Sequence, residues 1–546
     1  MCIVHCALCI VYYLCSRKQP IDVMTEKFEM VAKTFQGLEG VLADELRSLG
    51  AENVTEGVRM VSFEGDKELM YRANFCLRTA LRVLKPFYKF RSSDADDLYE
   101  QVKRFDWSTV MRVDQTFAID STTNGEEFRH SRFVTYRVKD AIADYFIDRV
   151  GRRPSIRVTN PDIRLDVHIN GDEVTLSLDS SGEPLYKRGW REAQTDAPIN
   201  EVLAAGIIRL SGWNGQCDLV DPMCGSGTFL VEAALIACNI NPGVFRQEFA
   251  FQRWEDYDAD LFEEIYNDDS QEREFEHKIY GWDIDAKAIA ISRANVKAAG
   301  VSRYVELERR DFADIEEVPA GGYLITNPPY DQRLRLEDAE AFYGMIGRKL
   351  KFVFRGYHAW IIAYDNDQFD RIGLRPSVHY PLLNGALDCE LREYVIFDGT
   401  FNDMRARGEN IRNEGFRASE DKRHLVRREF KETFADEEGG EHRPRQMRRD
   451  ERRQHREDRR DERRPRRDGD RPHDRRDDRP RRDGDRPRRD DRSRRDGDRP
   501  RRDDGGRRSP GFTPGQGPTL GADKEVTIIH GRRKSWKRQN LPEDEK

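Results

Sequence analysis

The sequence has only one cluster of cysteines, no excess of positive charge and no apolar run long enough to span a membrane. Four of its nine cysteines lie in the run Cys2–Cys15 and the other five are scattered, which leaves no paired set of zinc ligands. The formal net charge of −7 excludes a globally basic nucleic-acid binder. We therefore expect a cytoplasmic protein without a metal site or a membrane contact.

The N-terminal run is apolar over about fourteen residues, which is too short for a membrane helix. Its positive residues follow the run, whereas a secretory signal carries them before it. We interpret residues 1–24 as unstructured or as the product of a misassigned start, with Met24 or Met30 as the true first residue.

The C-terminal segment is poor in apolar side chains. From about Met404 the chain is dominated by Arg and Asp, and the heptapeptide Arg-Arg-Asp-Gly-Asp-Arg-Pro occurs at Arg466–Pro472, Arg481–Pro487 and Arg494–Pro500. Such a composition cannot offset the entropy of ordering, so residues 404–546 are predicted to be disordered. Because the charges alternate in sign, a solubilising tail and a weak RNA tether fit the segment equally well.

Strands alternate with helices between about Gln216 and Phe397. The predicted strands are Gln216–Val220, Ile279–Ile284, Tyr304–Leu307, Tyr323–Thr326 and Trp360–Ala363. The predicted helices are Thr228–Cys238, Ala286–Ala299 and about Ala339–Phe352. This series predicts an α/β fold with a parallel, doubly wound sheet. In such sheets ligands bind beyond the carboxyl ends of the strands.

The motif Asn327-Pro328-Pro329-Tyr330 follows the fourth of these strands. An exocyclic amine on a base is a poor nucleophile because its lone pair is delocalised into the ring, so a methylating enzyme must draw the amine hydrogens toward acceptors. The Asn327 side-chain oxygen and the Pro328 carbonyl can accept them, and the two prolines stiffen the backbone. Tyr330 offers a ring face on which a base stacks, worth roughly 1–3 kcal/mol. An ordinary strand-ending turn is the alternative interpretation.

A glycine loop, Asp221–Thr228, follows the first strand and opens a helix. Gly225 and Gly227 let the backbone pass close to a nucleotide cofactor that carries methionine. Asp283 is expected to accept hydrogen bonds from ribose hydroxyls, and Asp311 is expected either to accept from the adenine amine or to be solvated. The residues predicted to bind this cofactor, S-adenosylmethionine, are Asp221, Pro222, Cys224, Gly225, Ser226, Gly227, Thr228, Asp283, Asp311, Phe312 and Asn327.

The connection Asn239–Lys278 is long for a link from a helix to a strand. It carries Phe249, Phe251 and Trp254. We expect either a lid near the substrate or a structural excursion packed on the sheet.

The N-terminal third predicts two small α/β modules, at residues 25–86 and 87–182. The first has a helix at Gly37–Leu49; the second has strands at Phe117–Asp120, Ile156–Val158, Leu165–Ile169 and Val174–Leu178 and a helix at Thr135–Phe146. Basic residues cluster around this last helix, where a solvated face paired with Asp140 and Asp144 is the alternative. The predicted phosphate-contacting residues are Arg132, Arg137, Lys139, Arg152 and Arg153.

The glycine loop, the acidic strand ends and the Asn-Pro-Pro-Tyr motif, joined to Lys187–Arg191 and Ala197–Glu201, resemble the THUMP-domain class I RNA methyltransferases. The likeness is nearest to the 23S ribosomal RNA guanine-N2 methyltransferases. It implies a ferredoxin-like domain at residues 25–86, a THUMP domain at 87–182 and a Rossmann-like methyltransferase domain at 183–403.

This resemblance implies an enzyme that transfers a methyl group from S-adenosylmethionine to a guanine N2 amine of 23S rRNA or its precursor. We expect a monomer. Family members commonly carry Gly-Glu-Arg after the tyrosine, where this chain has Asp331-Gln332-Arg333. A guanine-N2 methyltransferase of tRNA and a non-enzymatic RNA-binding ribosome-assembly factor are the alternatives. DNA adenine and protein glutamine methyltransferases share the motif, but the long N-terminal portion disfavours both.

Overall fold

A computed structural model describes residues 26–329, 336–364, 369–385 and 387–397. The N-terminal apolar run, Tyr330, Asp331–Arg333 and the Arg/Asp-rich segment lie outside these residues. In the part of the chain that is described, no helix is both long and apolar enough to cross a membrane. The monomeric state stays a prediction.

One eight-stranded sheet forms the N-terminal half. Its strands are β1 (Phe28–Lys33), β2 (Glu52–Gly57), β3 (Met60–Gly65), β4 (Arg82–Arg91), β5 (Thr116–Asn124), β6 (Ser155–Ile156), β7 (Ile163–Asn170) and β8 (Glu173–Asp179). Its helices are α1 (Glu39–Ser48), α2 (Lys67–Cys76), α3 (Ala95–Arg104) and α4 (Ser131–Val150). The strand order is β2-β3-β1-β4-β8-β7-β5-β6. Antiparallel pairing of β4 with β8 thus joins the two predicted modules into one sheet, and the predicted boundary after residue 86 lies within β4.

A seven-stranded sheet forms the C-terminal half. Its strands are β9 (Leu219–Asp221), β10 (Ile279–Asp283), β11 (Val305–Arg309), β12 (Gly322–Thr326), β13 (Tyr357–Tyr364), β14 (Val378–Asn384) and β15 (Leu387–Val395). Its helices are α5 (Glu201–Ser211), α6 (Thr228–Ala237), α7 (Ala259–Asn267), α8 (Ala286–Ala298) and α9 (Leu336–Phe352). The order is β11-β10-β9-β12-β13-β15-β14, and the first five strands are parallel.

This order confirms the predicted doubly wound sheet. The chain moves outward from β9 to β10 and β11 and then returns to β12 on the other side of β9, so the switch point lies between β9 and β12. The antiparallel hairpin of β14 and β15 was not predicted. It adds an edge to the sheet without changing the strands that end at the switch point.

Local sequence sets several ends of these elements. Side chains of Asp94 and Asn200 accept hydrogen bonds from backbone N–H groups in the first turns of α3 and α5. Asp285 caps α8 in the same way. Gly151 ends α4 with a left-handed φ of +69°, which a residue without a Cβ adopts without strain.

The predicted strand Ile156–Val158 is wrong in its extent. The observed strand is Ser155–Ile156, which pairs over only two residues with β5. Ile156 and Val158 are 48% and 75% exposed, so neither side chain packs in the core. The predicted helix Thr135–Phe146 is longer than expected and runs over Ser131–Val150.

The long connection between α6 and β10 braces the N-terminal half. Phe249 and Phe251 are 3% and 0% exposed, and their stacked rings have centroids 5.3 Å apart. The Phe251 ring also stacks on Tyr71 of α2 with a centroid distance of 4.3 Å. The Tyr71 hydroxyl accepts a hydrogen bond from the backbone N–H of Asp258 at 3.0 Å. The lid interpretation is therefore wrong: the connection is a structural excursion. It packs on α2 through Phe251 and on the seven-stranded sheet through Phe275, which shares a buried cluster with Leu219 and Ile279 of β9 and β10.

Candidate active site

The carboxyl ends of β9 and β12 are joined by a buried carboxyl group. Asp221, the last residue of β9, is 1% exposed, and its Oδ1 accepts a hydrogen bond of 2.7 Å from the hydroxyl of Thr326. Oδ1 also accepts from the Met223 backbone N–H at 3.3 Å. Because Thr326 directly precedes Asn327, this contact fixes the start of the Asn-Pro-Pro segment beside the glycine loop.

The electrostatic state of Asp221 follows from its burial. Removal from water raises the pKa of Asp221 from 3.8 to about 7, and the hydrogen bond from Thr326 opposes that shift. A nearby cation would favour the charged form of such a carboxyl group.

Replacement of Asp221 by Asn tests this state. The folded protein holds the Asp221 proton more tightly than the unfolded chain does, so wild-type stability falls as the pH rises from about 4 to 7. Asp221→Asn removes that penalty, and without cofactor the variant should exceed the wild type in unfolding free energy at pH 8 by on the order of 1–3 kcal/mol. Denaturant unfolding of both proteins at pH 5 and pH 8 measures the difference. A gap that does not widen with pH would contradict the assignment.

The glycine loop is tied to the end of β10. Gly225 has a φ of +54° and its N–H donates to Asp283 Oδ2 at 2.9 Å. The Cys224 N–H donates to the carbonyl of Trp282 at 2.9 Å. Asp283 Oδ1 accepts from the Asp285 N–H at 2.9 Å, so each carboxylate oxygen holds one backbone donor and keeps a further lone pair for a ligand.

The loop glycines differ in the space around them. A Cβ added at Gly225 would meet only Thr195 Oγ1, at 3.8 Å, so a ligand can approach the backbone there. Gly227 has a φ of +77°, and a Cβ there would lie 3.0 Å from Ser292 Oγ. Gly225 therefore forms an open cradle, and Gly227 is required for close packing of the loop on α8.

Asn327 presents an acceptor without a donor. Its Oδ1 is buried and has no hydrogen-bond partner in the described part of the chain. A buried polar atom left in this state costs about 1–3 kcal/mol, which a ligand that donates a hydrogen bond would recover. Pro328 is buried and Pro329 half-buried next to it.

The other predicted cofactor residues lie around the same strand ends. Pro222 is buried, and burial also raises the pKa of the Cys224 thiol, as suits a packing residue. Asp311 caps a short 3-10 turn by accepting from the Ala313 N–H at 2.9 Å. Phe312 is 4% exposed and stacks on Phe354 with centroids 5.9 Å apart, which leaves little of its ring for a nucleotide.

Two loop-holding residues of α8 carried no motif in the sequence. The Ser292 hydroxyl donates to the Gly225 carbonyl at 2.8 Å, and the Asn295 amide donates to the Ser226 carbonyl at 2.8 Å. Both side chains are fully buried. The only signal for these two residues in the sequence is that they are polar and lie on the packed face of a helix.

The predicted phosphate-contacting residues divide into two groups. Arg137 donates to the Ala95 carbonyl at 3.0 Å, pairs with Asp96 and lies over the Tyr99 ring, so it joins α4 to α3. Lys139 pairs with its neighbour Asp140 at 2.8 Å. The other three predicted residues, Arg132, Arg152 and Arg153, are exposed and have no ion pair with a described residue.

A doubly wound sheet with a glycine loop at its switch point and carboxylates at adjacent strand ends defines a class I methyltransferase domain. S-adenosylmethionine fits these residues, because Gly225 leaves open space, Asp283 keeps acceptor capacity and Asp221 is a buried carboxyl group with no cationic partner among the described residues.

Three segments match known domain families in the predicted order. They are the RlmL ferredoxin-like domain over residues 29–84, the THUMP domain over residues 92–179 and the RMKL-like methyltransferase domain over residues 188–393. A Synechocystis protein named as a candidate RNA methyltransferase is 39% identical over 369 residues, which cover 67% of this chain and 96% of that protein. The chain therefore belongs to the family of methyltransferases that carry a THUMP domain and an RMKL-like methyltransferase domain.

Two longer relatives are named ribosomal RNA large subunit methyltransferase K/L. That of Syntrophotalea carbinolica is 39% identical, with 69% of this chain and 55% of that protein covered. That of Methylococcus capsulatus is 36% identical, with 67% and 51% covered. The chain thus spans about half the length of these K/L proteins.

Solved structures share the arrangement over the described residues. A candidate methyltransferase, SMU.472, solved with SAH, has a TM-score of 0.62 and 28% identity, covering 69% of this chain and all of that one. A candidate methylase of Clostridium difficile has a TM-score of 0.62 and 31% identity over 69% of this chain and all of that one. The family and the SAH complex confirm S-adenosylmethionine as the predicted cofactor.

Proposed function

We propose that the chain is an S-adenosylmethionine-dependent RNA methyltransferase of the cytoplasm that methylates a guanine N2 amine in 23S rRNA or its precursor. The K/L relatives are named for large-subunit ribosomal RNA, and the THUMP domain supports an RNA substrate. The observation that carries the proposal is the buried Oδ1 of Asn327 at the end of β12, which has no hydrogen-bond partner among the residues that the structure describes.

The chemistry asks the protein mainly to position an amine. Asn327 Oδ1 accepts one hydrogen of the amine and the Pro328 carbonyl accepts the other, which favours a pyramidal nitrogen whose lone pair is no longer delocalised into the ring. When bound, S-adenosylmethionine supplies an electrophilic methyl group. The proton that the amine must lose becomes acidic only as the new N–C bond forms, so solvent can take it and no strong base is required. Positioning of this kind accounts for most of the rate.

A guanine in a folded RNA must leave its stack to reach Asn327. Extrusion of a base costs a few kcal/mol, which stacking in the pocket must offset. Tyr330, predicted to provide that stacking surface, lies outside the described residues and stays a prediction.

RNA docking is assigned to the exposed arginines of the THUMP domain. Charge reversal in Arg152→Glu/Arg153→Glu should weaken binding of a 23S rRNA fragment by about 10–100-fold and lower the salt dependence of log Kd by up to about 1.8, since each phosphate contact contributes about 0.9. Filter binding at several salt concentrations measures both effects.

The matched control reverses two basic residues that already have partners. Lys27 and Arg47 are ion-paired with Glu52 and Asp44, and Lys27→Glu/Arg47→Glu should leave RNA affinity within about threefold. An equal loss in both double variants would show a non-specific charge effect and contradict the assignment.

The reaction is tested by incubating the purified protein with S-adenosylmethionine and either unmodified 23S rRNA or unmodified tRNA. Nucleoside mass spectrometry of the digested RNA should show N2-methylguanosine from the 23S rRNA alone. Another methylated nucleoside would contradict the guanine-N2 proposal, and N2-methylguanosine from tRNA alone would contradict the ribosomal substrate.

A further inference from the structure

A strap of seven residues, Lys187–Ala193, lies between the eight-stranded sheet and the glycine loop. It follows the eight-stranded sheet and precedes α5. Gly189 turns the strap with a φ of +108°, and a Cβ there would lie 2.3 Å from the Phe245 carbonyl oxygen. Such close packing holds the strap in one conformation.

Arg191 connects the strap to the hydroxyl groups of the glycine loop. Its Nη1 donates to Ser226 Oγ at 3.1 Å and its Nη2 donates to Thr228 Oγ1 at 2.9 Å. Its Nε donates to Glu201 Oε1 at 2.6 Å. Ser226, Thr228 and Glu201 are 3%, 2% and 6% exposed, so one planar guanidinium group satisfies three buried side chains.

Asn295 joins the strap and the loop a second time. Its amide nitrogen donates to the Ala193 carbonyl at 2.9 Å and to the Ser226 carbonyl at 2.8 Å. Its Oδ1 accepts from the N–H groups of Glu192 and Ala193 at 2.9 and 3.2 Å. The end of the strap and the glycine loop are thus bound to one fully buried side chain.

Arg188 anchors the other end of the strap to both halves of the protein. Its Nη2 donates to the Arg78 carbonyl of the N-terminal half at 2.5 Å. Its Nε lies 3.3 Å from Glu232 Oε1 on α6, the helix that begins at Thr228. Both side chains of this ion pair are fully buried, so the strap is fixed at the end away from the loop.

We propose that Arg191 is a positioning residue that fixes the glycine loop in the conformation that binds S-adenosylmethionine. Gly225 and Gly227 give this loop much conformational freedom, and an unrestrained loop would lose that freedom only on binding. The guanidinium group restrains Ser226 and Thr228 beforehand, which lowers the entropy lost on binding. The inference rests on the proposed function, because it takes this loop as the cofactor site.

The variant Arg191→Lys tests the proposal. A lysine keeps the positive charge beside Glu201 but cannot donate to Glu201 and to both loop hydroxyls with one planar group. We expect the Kd for S-adenosylhomocysteine, measured by isothermal titration calorimetry, to rise about tenfold. The control Arg209→Lys changes an arginine that pairs with Glu45 and does not contact the loop, and its Kd should equal that of the wild type.

A double-mutant cycle distinguishes positioning from a general loss of structure. If Arg191 acts through the Ser226 and Thr228 hydroxyls, Arg191→Lys should raise the Kd by less than about threefold in a Ser226→Ala/Thr228→Val background. A full tenfold effect in that background, or a Kd for Arg191→Lys within twofold of the wild type, would overturn the proposal.

A second variant serves if Arg191→Lys does not fold. Glu201→Gln leaves every loop residue in place and weakens the anchor of the guanidinium group, so the Kd should rise about threefold; an unchanged Kd would overturn the proposal. Failure of the wild-type protein to bind S-adenosylhomocysteine would instead overturn the function on which the inference rests.

Discussion

Replacement of Asn327 by Ala should lower kcat for RNA methylation by about 10²–10³-fold and leave the Kd for S-adenosylmethionine within about threefold of the wild type. The loss is expected because the Asn327 side-chain oxygen is buried, has no donor in the described part of the chain and is assigned to hold the amine hydrogen. Ala removes that acceptor without adding bulk. Single-turnover kinetics and isothermal titration calorimetry measure the two quantities separately.

Asn327→Asp is the matched variant for this experiment. A carboxylate of the same size still accepts a hydrogen bond, so Asn327→Asp should retain more turnover than Asn327→Ala. Equal losses of turnover and cofactor affinity in Asn327→Ala would contradict the assignment, because Asn327 would then serve the cofactor site as a whole.

Replacement of Phe251 by Ala should lower the free energy of unfolding by about 3–5 kcal/mol, the usual cost of removing a buried phenylalanine. The Phe251 ring is fully buried between Phe249 and Tyr71, where the connection between α6 and β10 packs on α2. Denaturant unfolding followed by tryptophan fluorescence measures the change.

Phe352→Ala provides the control for the same substitution at an exposed site. Phe352 is 60% exposed, and its loss should change the unfolding free energy by no more than about 0.5 kcal/mol. If Phe251→Ala instead lowered kcat while leaving the free energy of unfolding unchanged, the connection would contribute to catalysis. The structural role assigned to it here would then be wrong.

Much of the methyltransferase half could be predicted because its signals are local. Strand, glycine loop and helix follow one another in the sequence, and Asp221 and Asp283 end strands whose neighbours are set by the doubly wound order. Asp285 precedes a helix and caps it, as its position indicates. A sequence pattern of this kind determines which residues reach the carboxyl edge of the sheet.

Contacts between distant segments could not be predicted in the same way. Phe249 and Phe251 are apolar in a long connection, a pattern that suits a lid as well as a brace, and only the packing against Tyr71 decides between them. The bonds of Arg191 and Asn295 to Ser226 join residues 35 and 69 positions apart. Arg191 lies within one of the motifs quoted for the resemblance, but the motif does not show what its side chain contacts.

The ion pairs of the predicted RNA-binding residues in the THUMP domain could not be predicted from the sequence either. Sequence alone places Arg137 with Arg152 and Arg153, since all three lie in or near one helix. The structure separates them, because Asp96 on α3 takes the Arg137 guanidinium and no described partner takes the other two. Ion pairs between helices depend on tertiary packing, which the charge pattern of one segment does not contain.

The guanine-N2 reaction on ribosomal RNA is tested most directly by nucleoside mass spectrometry of 23S rRNA and tRNA from a strain that lacks this gene, beside its parent. We expect that one N2-methylguanosine is lost from 23S rRNA and that tRNA is unchanged. An unchanged content of N2-methylguanosine in 23S rRNA would contradict the proposed reaction.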